Sequence, residues 1–536
     1  MNVKYWDFKM KHYEDNFAQN SLPPFELQPK YSFLDTTPFQ QPELLNCVDK
    51  LLDNHIREGR GNTVCIRTFK ETWTYQDLFE ISNQIACVLR DDFGLKSGNR
   101  VLIRSSNNPM MVACWFAILK VGGIVVATMP LLRSKELSTI IDCAQISHCL
   151  CASDLAEEIK LVESVFKPTT LFFDDLMNLA QSKPKSFTNY HTNSSSVALI
   201  GFTSGTTGLP KMTAHFHRDV LNICEAFPPF SLQPTEKDIF TGSPPIGFTF
   251  GLGGLVLFPL YYGASTFLIE KPSPELLLQA IQDFKITICF TAPTAWRIIT
   301  TKVNEFDISS LRKCISAGES LPLKVWEDWY KTTGLKIIDG IGATEMLHIF
   351  ISSNEDIMKP GATGIAITGY EAKVIDNNGN QLPTNESGRL AVRGITGCKY
   401  LNRLEKQKDY VAAGWNITGD IFKQDEDGYF WFVARGDDMI ISSGYNIAAI
   451  EVESVLLNHD AVLECAVVGL ADVERGMLVC AYIVLKNKDN ANDTLKSDIQ
   501  LWFKQVAAPY KYPRQILFVE SLPKTETGKI QRFKLK

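Results

Sequence analysis

Residues 203–211 read T-S-G-T-T-G-L-P-K. They follow an apolar run, Val197-Ala198-Leu199-Ile200-Gly201-Phe202, with the composition of a buried strand. Helical spacing resumes at about residues 218–227. A strand opening into a loop of small and hydroxylated residues suits a polyphosphate. Gly205 and Gly208 let the backbone come close, Thr203, Ser204, Thr206 and Thr207 offer donors, and Lys211 brings positive charge. The order G-x-x-G-x-P-K differs from the Walker A pattern, G-x-x-x-x-G-K-[ST]. A Ser/Thr/Gly linker has the same composition, so the reading depends on what lies further along the chain.

Outward from this loop, short apolar runs alternate with helical patterns through about the first 360 residues. Val101-Leu102-Ile103, Ile124-Val125-Val126-Ala127 and residues 286–290 read as strands, and residues 111–121 and 274–284 as helices. This alternation predicts an α/β fold with largely parallel sheets. Between about 364 and 432 the pattern changes to short strands (370–376, 388–394, 429–433) separated by turns such as Asn377-Asn378-Gly379, a β-rich subdomain. A second change at Gly436-Asp437-Asp438 introduces helices at 450–458 and 495–507 and strands at 465–469 and 478–485. The expected division is a large N-terminal domain, 1–435, and a small α+β domain, 436–536.

The 536 residues are 45% hydrophobic and 21% charged with a net charge of −6, too long for one compact core. No long Lys/Arg block supports a nucleic-acid or anionic-membrane partner. The most apolar region, 110–130, is interrupted by Lys120 and Gly122-Gly123, which favours a buried helix and strand over a membrane span. The first residues, MNVKYWDFKMKHYEDNF, lack the apolar segment of a signal peptide. Thirteen cysteines in apolar segments, odd in number and without framework spacing, point to reduced thiols and a cytoplasmic location. His148-Cys149-Leu150-Cys151 reads as part of a buried strand in preference to a metal site. The oligomeric state stays open, a homodimer included.

Three further motifs carry chemistry. Asp339-Gly340-Ile341-Gly342-Ala343-Thr344-Glu345 follows an apolar Lys336-Ile337-Ile338, and a carboxylate just past a strand end is placed to hold Mg²⁺ beside a polyphosphate. Trp415-Asn416-Ile417-Thr418-Gly419-Asp420 supplies a carboxylate suited to ribose hydroxyls. Leu522-Pro523-Lys524-Thr525-Glu526-Thr527-Gly528-Lys529 puts a lysine in a Gly/Thr loop near the chain end.

Together and in this order, the four motifs resemble the adenylate-forming superfamily of acyl-CoA synthetases, luciferases and peptide-synthetase adenylation domains. The resemblance spans essentially the whole chain and implies a mobile C-terminal domain with the active site between the two domains. It implies that residues 203–211 grip the β- and γ-phosphates of ATP, and that Thr344 and Glu345 serve the α-phosphate and Mg²⁺. Gly318 and Glu319 would pack on adenine with Asp339 in the same pocket, and Asp420 and Arg435 would bind ribose. Asp437 would be the hinge and Lys529 the lysine bridging carboxylate and phosphate. Ser443 and Gly444 would flank the CoA tunnel. Ile341 departs from the aromatic residue that many relatives carry there.

Substrate choice must come from the pocket. Residues 243–254 (SPPIGFTFGLGG), Phe258-Pro259 and 345–350 (EMLHIF) look most like benzoate-CoA and 2-aminobenzoate-CoA ligases, and residues 388–401 (GRLAVRGITGCKYL) lean the same way. The resemblance places Phe248, Thr249, Phe250, Phe258, Ile341, His348 and Ile349 around an aryl ring. The alternative for His348 is a hydrogen-bonded histidine packed under the loop. The expected reaction converts a small aromatic acid, ATP and CoA to acyl-CoA, AMP and pyrophosphate. A medium-chain fatty acyl-CoA synthetase is the rival reading, because one methylene shifts affinity by only about 1–3 kcal/mol. Carrier-protein loading and a non-catalytic nucleotide-binding scaffold follow behind.

Overall fold

The apolar run at 197–202 forms the strand Val197–Thr203, embedded in a six-stranded sheet. In spatial order that sheet contains Thr169–Phe172, His148–Cys151, Arg100–Arg104, Ile124–Thr128, Val197–Thr203 and Lys211–Phe216. Its first five strands run parallel and the last runs antiparallel. The computed structural model describes residues 13–203, 210–442, 445–472, 476–507, 509–524 and 530–536.

The sequence reading passed over the strand that follows the phosphate-type loop. The phosphate-type loop does not lead directly into a helix. Lys211–Phe216 first folds back on Val197–Thr203, with Thr203 opposite Lys211, and the helix His217–Phe227 follows. The reason is burial. The Ala214 N–H donates to the Lys399 carbonyl at 3.0 Å and the Leu401 N–H to the Met212 carbonyl at 2.9 Å, so residues 399–401 pair along its outer edge. Residues 212–216 are all buried, so the strand has no exposed polar face and no period-2 alternation, and Thr213 and His215 interrupt its apolar run.

The second large sheet has nine strands. Ile337–Gly342, Lys313–Ser316, Ile288–Thr291, Ile239–Gly242, Ser265–Phe267 and Val64–Arg67 run parallel through its middle. Ile349–Ser352 and Ile365–Ala366 extend one edge, antiparallel, and Thr72–Thr74 the other. One hydrophobic core joins the two sheets through the helix Pro109–Val121, buried at all but one of its positions. The Asn108 side chain caps that helix by accepting the Met111 N–H at 2.9 Å, and Gly122 ends it at φ +87°, where a Cβ would also meet the Tyr190 ring. Buried Lys120 is tolerated because its ammonium reaches Asp53 at 2.7 Å. Residues 110–130 are thus a helix and the strand Ile124–Thr128, and no helix among the described residues is long and apolar enough to cross a membrane.

An antiparallel sheet of Tyr370–Ile375, Gly388–Gly394, Trp415–Gln424, Val411–Ala412 and Phe430–Arg435 forms the β-rich section. After the single turn Gly436–Asp438, a last sheet of Met439–Ser442, Tyr445–Ala448, Val462–Asp472, Gly476–Leu485 and Gln515–Phe518 packs with the helices Ala449–Leu456 and Asp493–Val506. Its own core includes Val452, Val467, Ile483 and Phe503. All thirteen cysteines are unpaired and twelve are buried. His148–Cys151 is an internal strand, with the His148 ring hydrogen-bonded to the Phe93 carbonyl at 3.0 Å and to Ser147 at 2.9 Å.

Candidate active site

The site gathers at the C-terminal end of Val197–Thr203. Residues Ser204, Gly205, Thr206, Thr207 and Gly208 lie outside the described residues. The flanks are defined: Thr203 and Lys211 face each other across the strand pair, and the Thr203 hydroxyl is buried without a hydrogen-bond partner among the described residues. Buried polar atoms are normally satisfied, which makes this hydroxyl a candidate ligand contact.

Thr344 and Glu345 stand in the turn Thr344–Met346 that reverses the chain between Ile337–Gly342 and Ile349–Ser352. Leu347 completes the reversal at φ +69°, a costly conformation for a leucine. The turn is pressed onto the phosphate-side strand. A Cβ on Gly201 would come within 2.7 Å of Thr344 Cγ2, so only glycine permits the approach. The His215 ring donates from Nε2 to the Thr344 carbonyl at 2.8 Å. Burial, helped by the charge of Lys399, drives the His215 pKa down to about 4, so the ring is neutral near pH 7.

Glu345 is 7% exposed, and the Lys211 ammonium stands 3.9 Å from its Oε1. The Tyr400 hydroxyl donates to that same oxygen, and Lys211 also lies 4.8 Å above the Tyr400 ring. Burial first, then the charge of Glu345, pushes the Tyr400 pKa far upward and keeps the phenol a donor. Sequence reasoning missed Tyr400. The only signal was an aromatic residue within GCKYL, a stretch valued there for its resemblance alone. Beneath it, fully buried Lys399 pairs with fully buried Asp219 at 3.2 Å and donates to the Tyr31 hydroxyl at 2.8 Å.

Asp339 lies within the strand Ile337–Gly342, opposite Ser316, and not beyond the strand end as the sequence suggested. The parallel pairing with Lys313–Ser316 extends the strand past the apolar pair. Burial pushes the Asp339 carboxyl up to about 8, against a lowering contribution from the Gly340 N–H, and its Oδ1 has no hydrogen-bond partner among the described residues. Gly318 is exposed at φ +91°, and Glu319 accepts the Thr294 hydroxyl at 3.0 Å. Asp420 and Arg435 are cross-strand partners with an ion pair at 3.7 Å.

The residues assigned to the acid divide into two groups. Phe248 and Thr249 line an apolar cavity with Trp115, Val125, Leu199 and Ile246, beside Gly201. Phe250 and Ile341 are partly buried. Phe258, His348 and Ile349 are buried, forming a floor closed to solvent. His348 packs edge-on to Phe258 at 4.6 Å, and a Cβ on Gly253 would strike its ring at 2.3 Å. Neither ring nitrogen makes a well-formed hydrogen bond among the described residues, although the Phe250 carbonyl contributes weakly, and burial drives the pKa down to about 3. His348 is therefore a neutral packing element in this structure.

Lys529, Ser443 and Gly444 lie outside the described residues, and for Asp437 only the backbone, within Gly436–Asp438, is described. Among the described residues no group of three or more His, Cys, Asp or Glu is arranged to hold a metal ion.

Residues 52–399 match the AMP-binding enzyme family, and residues 451–529 match the AMP-binding enzyme C-terminal domain. The chain belongs to the AMP-binding enzyme family. Among the relatives of this AMP-binding enzyme is the benzoate–CoA ligase of Thauera aromatica, 32% identical over 508 residues, covering 92% of this chain and 96% of the relative. The crystal structure of the anthranilate CoA ligase AuaEII in complex with anthranoyl-AMP superposes with a TM-score of 0.88 at 32% identity, covering 92% of this chain and 97% of the other. MatB from Rhodopseudomonas palustris, 25% identical and matched over 91% of this chain and 98% of its own, gives a TM-score of 0.85 in its ATP-bound structure and 0.74 in its apo structure.

Proposed function

We propose that this AMP-binding enzyme joins a small aromatic carboxylic acid of the benzoate or 2-aminobenzoate type to CoA through an acyl-adenylate. The observation that carries the reading is the convergence of Thr203, Lys211, Thr344 and Glu345 beside an apolar cavity bordered by Phe248 and Thr249. Similarity along nearly the full length to a benzoate–CoA ligase and to a ligase holding anthranoyl-AMP supports the substrate class. The division at 435/436 and a cytoplasmic location belong to the same proposal.

A carboxylate is a poor acyl donor because its leaving group would be oxide. Attack of the carboxylate oxygen on the α-phosphorus of ATP forms the acyl–phosphate bond and expels pyrophosphate. Two anions meet in that step, so positive charge must offset their repulsion. Lys211 and the donors of 203–209 take the outer phosphates, and Lys529 serves the reacting pair. Thr344 orients the α-phosphate. Asp420 and Arg435 hold the ribose, and Gly318, Glu319 and Asp339 border the adenine. The Glu345 carboxylate fits Mg²⁺, an ion usually bound by one or two carboxylates plus substrate phosphates. When bound, the ion would neutralise developing phosphate charge. In the second step the CoA thiol gives up its proton and attacks the acyl carbonyl, and AMP leaves. Rotation at Asp437 would exchange Lys529 for the Ser443-Gly444 segment between the steps.

Thioester formation from benzoate, 2-aminobenzoate, hydroxybenzoates, hexanoate and octanoate tests the reading. Aromatic acids are expected to turn over fastest, and clearly faster octanoate turnover would replace this reading with the medium-chain one.

A further inference from the structure

Arg297, on the helix Pro293–Lys302 of the large domain, reaches across to the C-terminal unit. Its Nη1 donates to the Leu463 carbonyl at 2.8 Å, and its Nη2 stands 3.1 Å from Glu464 Oε1. The same carboxylate oxygen pairs with Lys524. The Glu464 side chain is only 13% exposed, whereas Arg297 and Lys524 are partly open to solvent, so the carboxylate is the withdrawn member of a partly exposed charge cluster. Two cations, one from each domain, thus converge on one carboxylate oxygen.

Both ends of this contact lead to the reaction. Three residues before Arg297, and so on the same helix face, Thr294 donates to Glu319 in the segment assigned to adenine. Lys524 stands five residues before Lys529 in the sequence. Lys524 bridges to Ile530, and the Gln531 N–H donates to the Pro523 carbonyl at 2.8 Å. Over 91% of this chain, the fit to ATP-bound MatB (TM-score 0.85) is better than the fit to apo MatB (0.74).

We propose that Arg297 is a positioning residue for adenylation. Through Glu464 and Lys524 it holds the C-terminal domain against the large domain in the arrangement used for adenylation, and its release belongs to the later thioester step. This rests on the ligase reading above. It adds what that reading lacks, a side chain of the large domain that favours one half-reaction over the other.

The test separates the half-reactions in the full-length chain. Acid-dependent exchange of pyrophosphate into ATP reports adenylation. Thioester formation from supplied benzoyl-adenylate and CoA reports the second step. In Arg297→Ala, exchange is expected to fall roughly tenfold while the second step stays within about twofold of the unaltered chain. Glu464→Gln should repeat the pattern, and Arg297→Lys should restore part of the exchange. Exchange unchanged in Arg297→Ala would overturn the proposal, as would equal losses in both steps. No acid-dependent exchange in the unaltered chain would instead overturn the ligase reading, and this inference with it.

Discussion

The Tyr400 hydroxyl donates to Glu345, fixing the carboxylate that also faces the Lys211 ammonium at 3.9 Å. A hydrogen bond from Tyr400 and the nearby charge of Lys211, which lies above the Tyr400 ring, thus act on one oxygen of Glu345 before any substrate arrives. A preset carboxylate need not reorganise as the phosphates dock, which is how electrostatic preorganisation lowers a barrier.

Tyr400→Phe keeps the ring under Lys211 and removes only the donor. A hydrogen bond to a charged group contributes about 1.5–3 kcal/mol, so kcat/KM for ATP should fall roughly ten- to a hundredfold. Steady-state kinetics with ATP varied at saturating acid and Mg²⁺ checks this. An unchanged kcat/KM would make the hydrogen bond incidental.

Gly201→Ala places a methyl group 2.7 Å from Thr344 Cγ2. Overpacking of this kind costs about 1–3 kcal/mol, and here the displaced residue is the one assigned to the α-phosphate. The melting temperature should drop modestly while acid-dependent pyrophosphate exchange falls by about two orders of magnitude, the scale of a misplaced reacting group. Parallel melting curves and exchange assays decide it: a loss of stability with full exchange would mean that Thr344 tolerates the shift.

Stability should fall in acid through the buried histidines. Burial holds His348 and His217 down to about 3 and, with the charge of Lys399, holds His215 to about 4, all below the ordinary value near 6.5. Groups depressed in the fold stabilise it fully above about pH 6.5, and that contribution drains away as pH falls towards the folded values. Asp339, raised by burial to about 8, acts oppositely, since its contribution grows as pH falls from 8 towards 4. Each proton taken up on unfolding is worth about 1.4 kcal/mol per pH unit. Replacing His348 by Phe should therefore flatten the fall in unfolding free energy between pH 6 and 4 by about that slope. Urea melts at several pH values measure it, and parallel curves for the two chains would count against a buried neutral His348.

The sequence by itself determined what short-range chemistry determines. Alternating periods of apolar residues gave the α/β architecture, and the helix Pro274–Phe284 ends where its spacing ends, with Ser273 as its cap. The glycines, hydroxyls and lysine of 203–211 gave the expectation of a phosphate site, because backbone access and charge are properties of adjacent residues. Tertiary structure decided the remainder. Tyr400 meets Glu345 across 55 residues, and Arg297 reaches Leu463 across 166, pairings that depend on how sheets and domains pack. The strand Lys211–Phe216 was hidden because residues 212–216 are all buried, which leaves no polar alternation to read. His348 sits close to Glu345 in the chain, yet packing against Phe258 and Gly253 turned an imidazole expected at the pocket edge into its buried floor. Neighbours along the chain set local conformation and charge, whereas the environment of a side chain is set by whichever distant segment covers it.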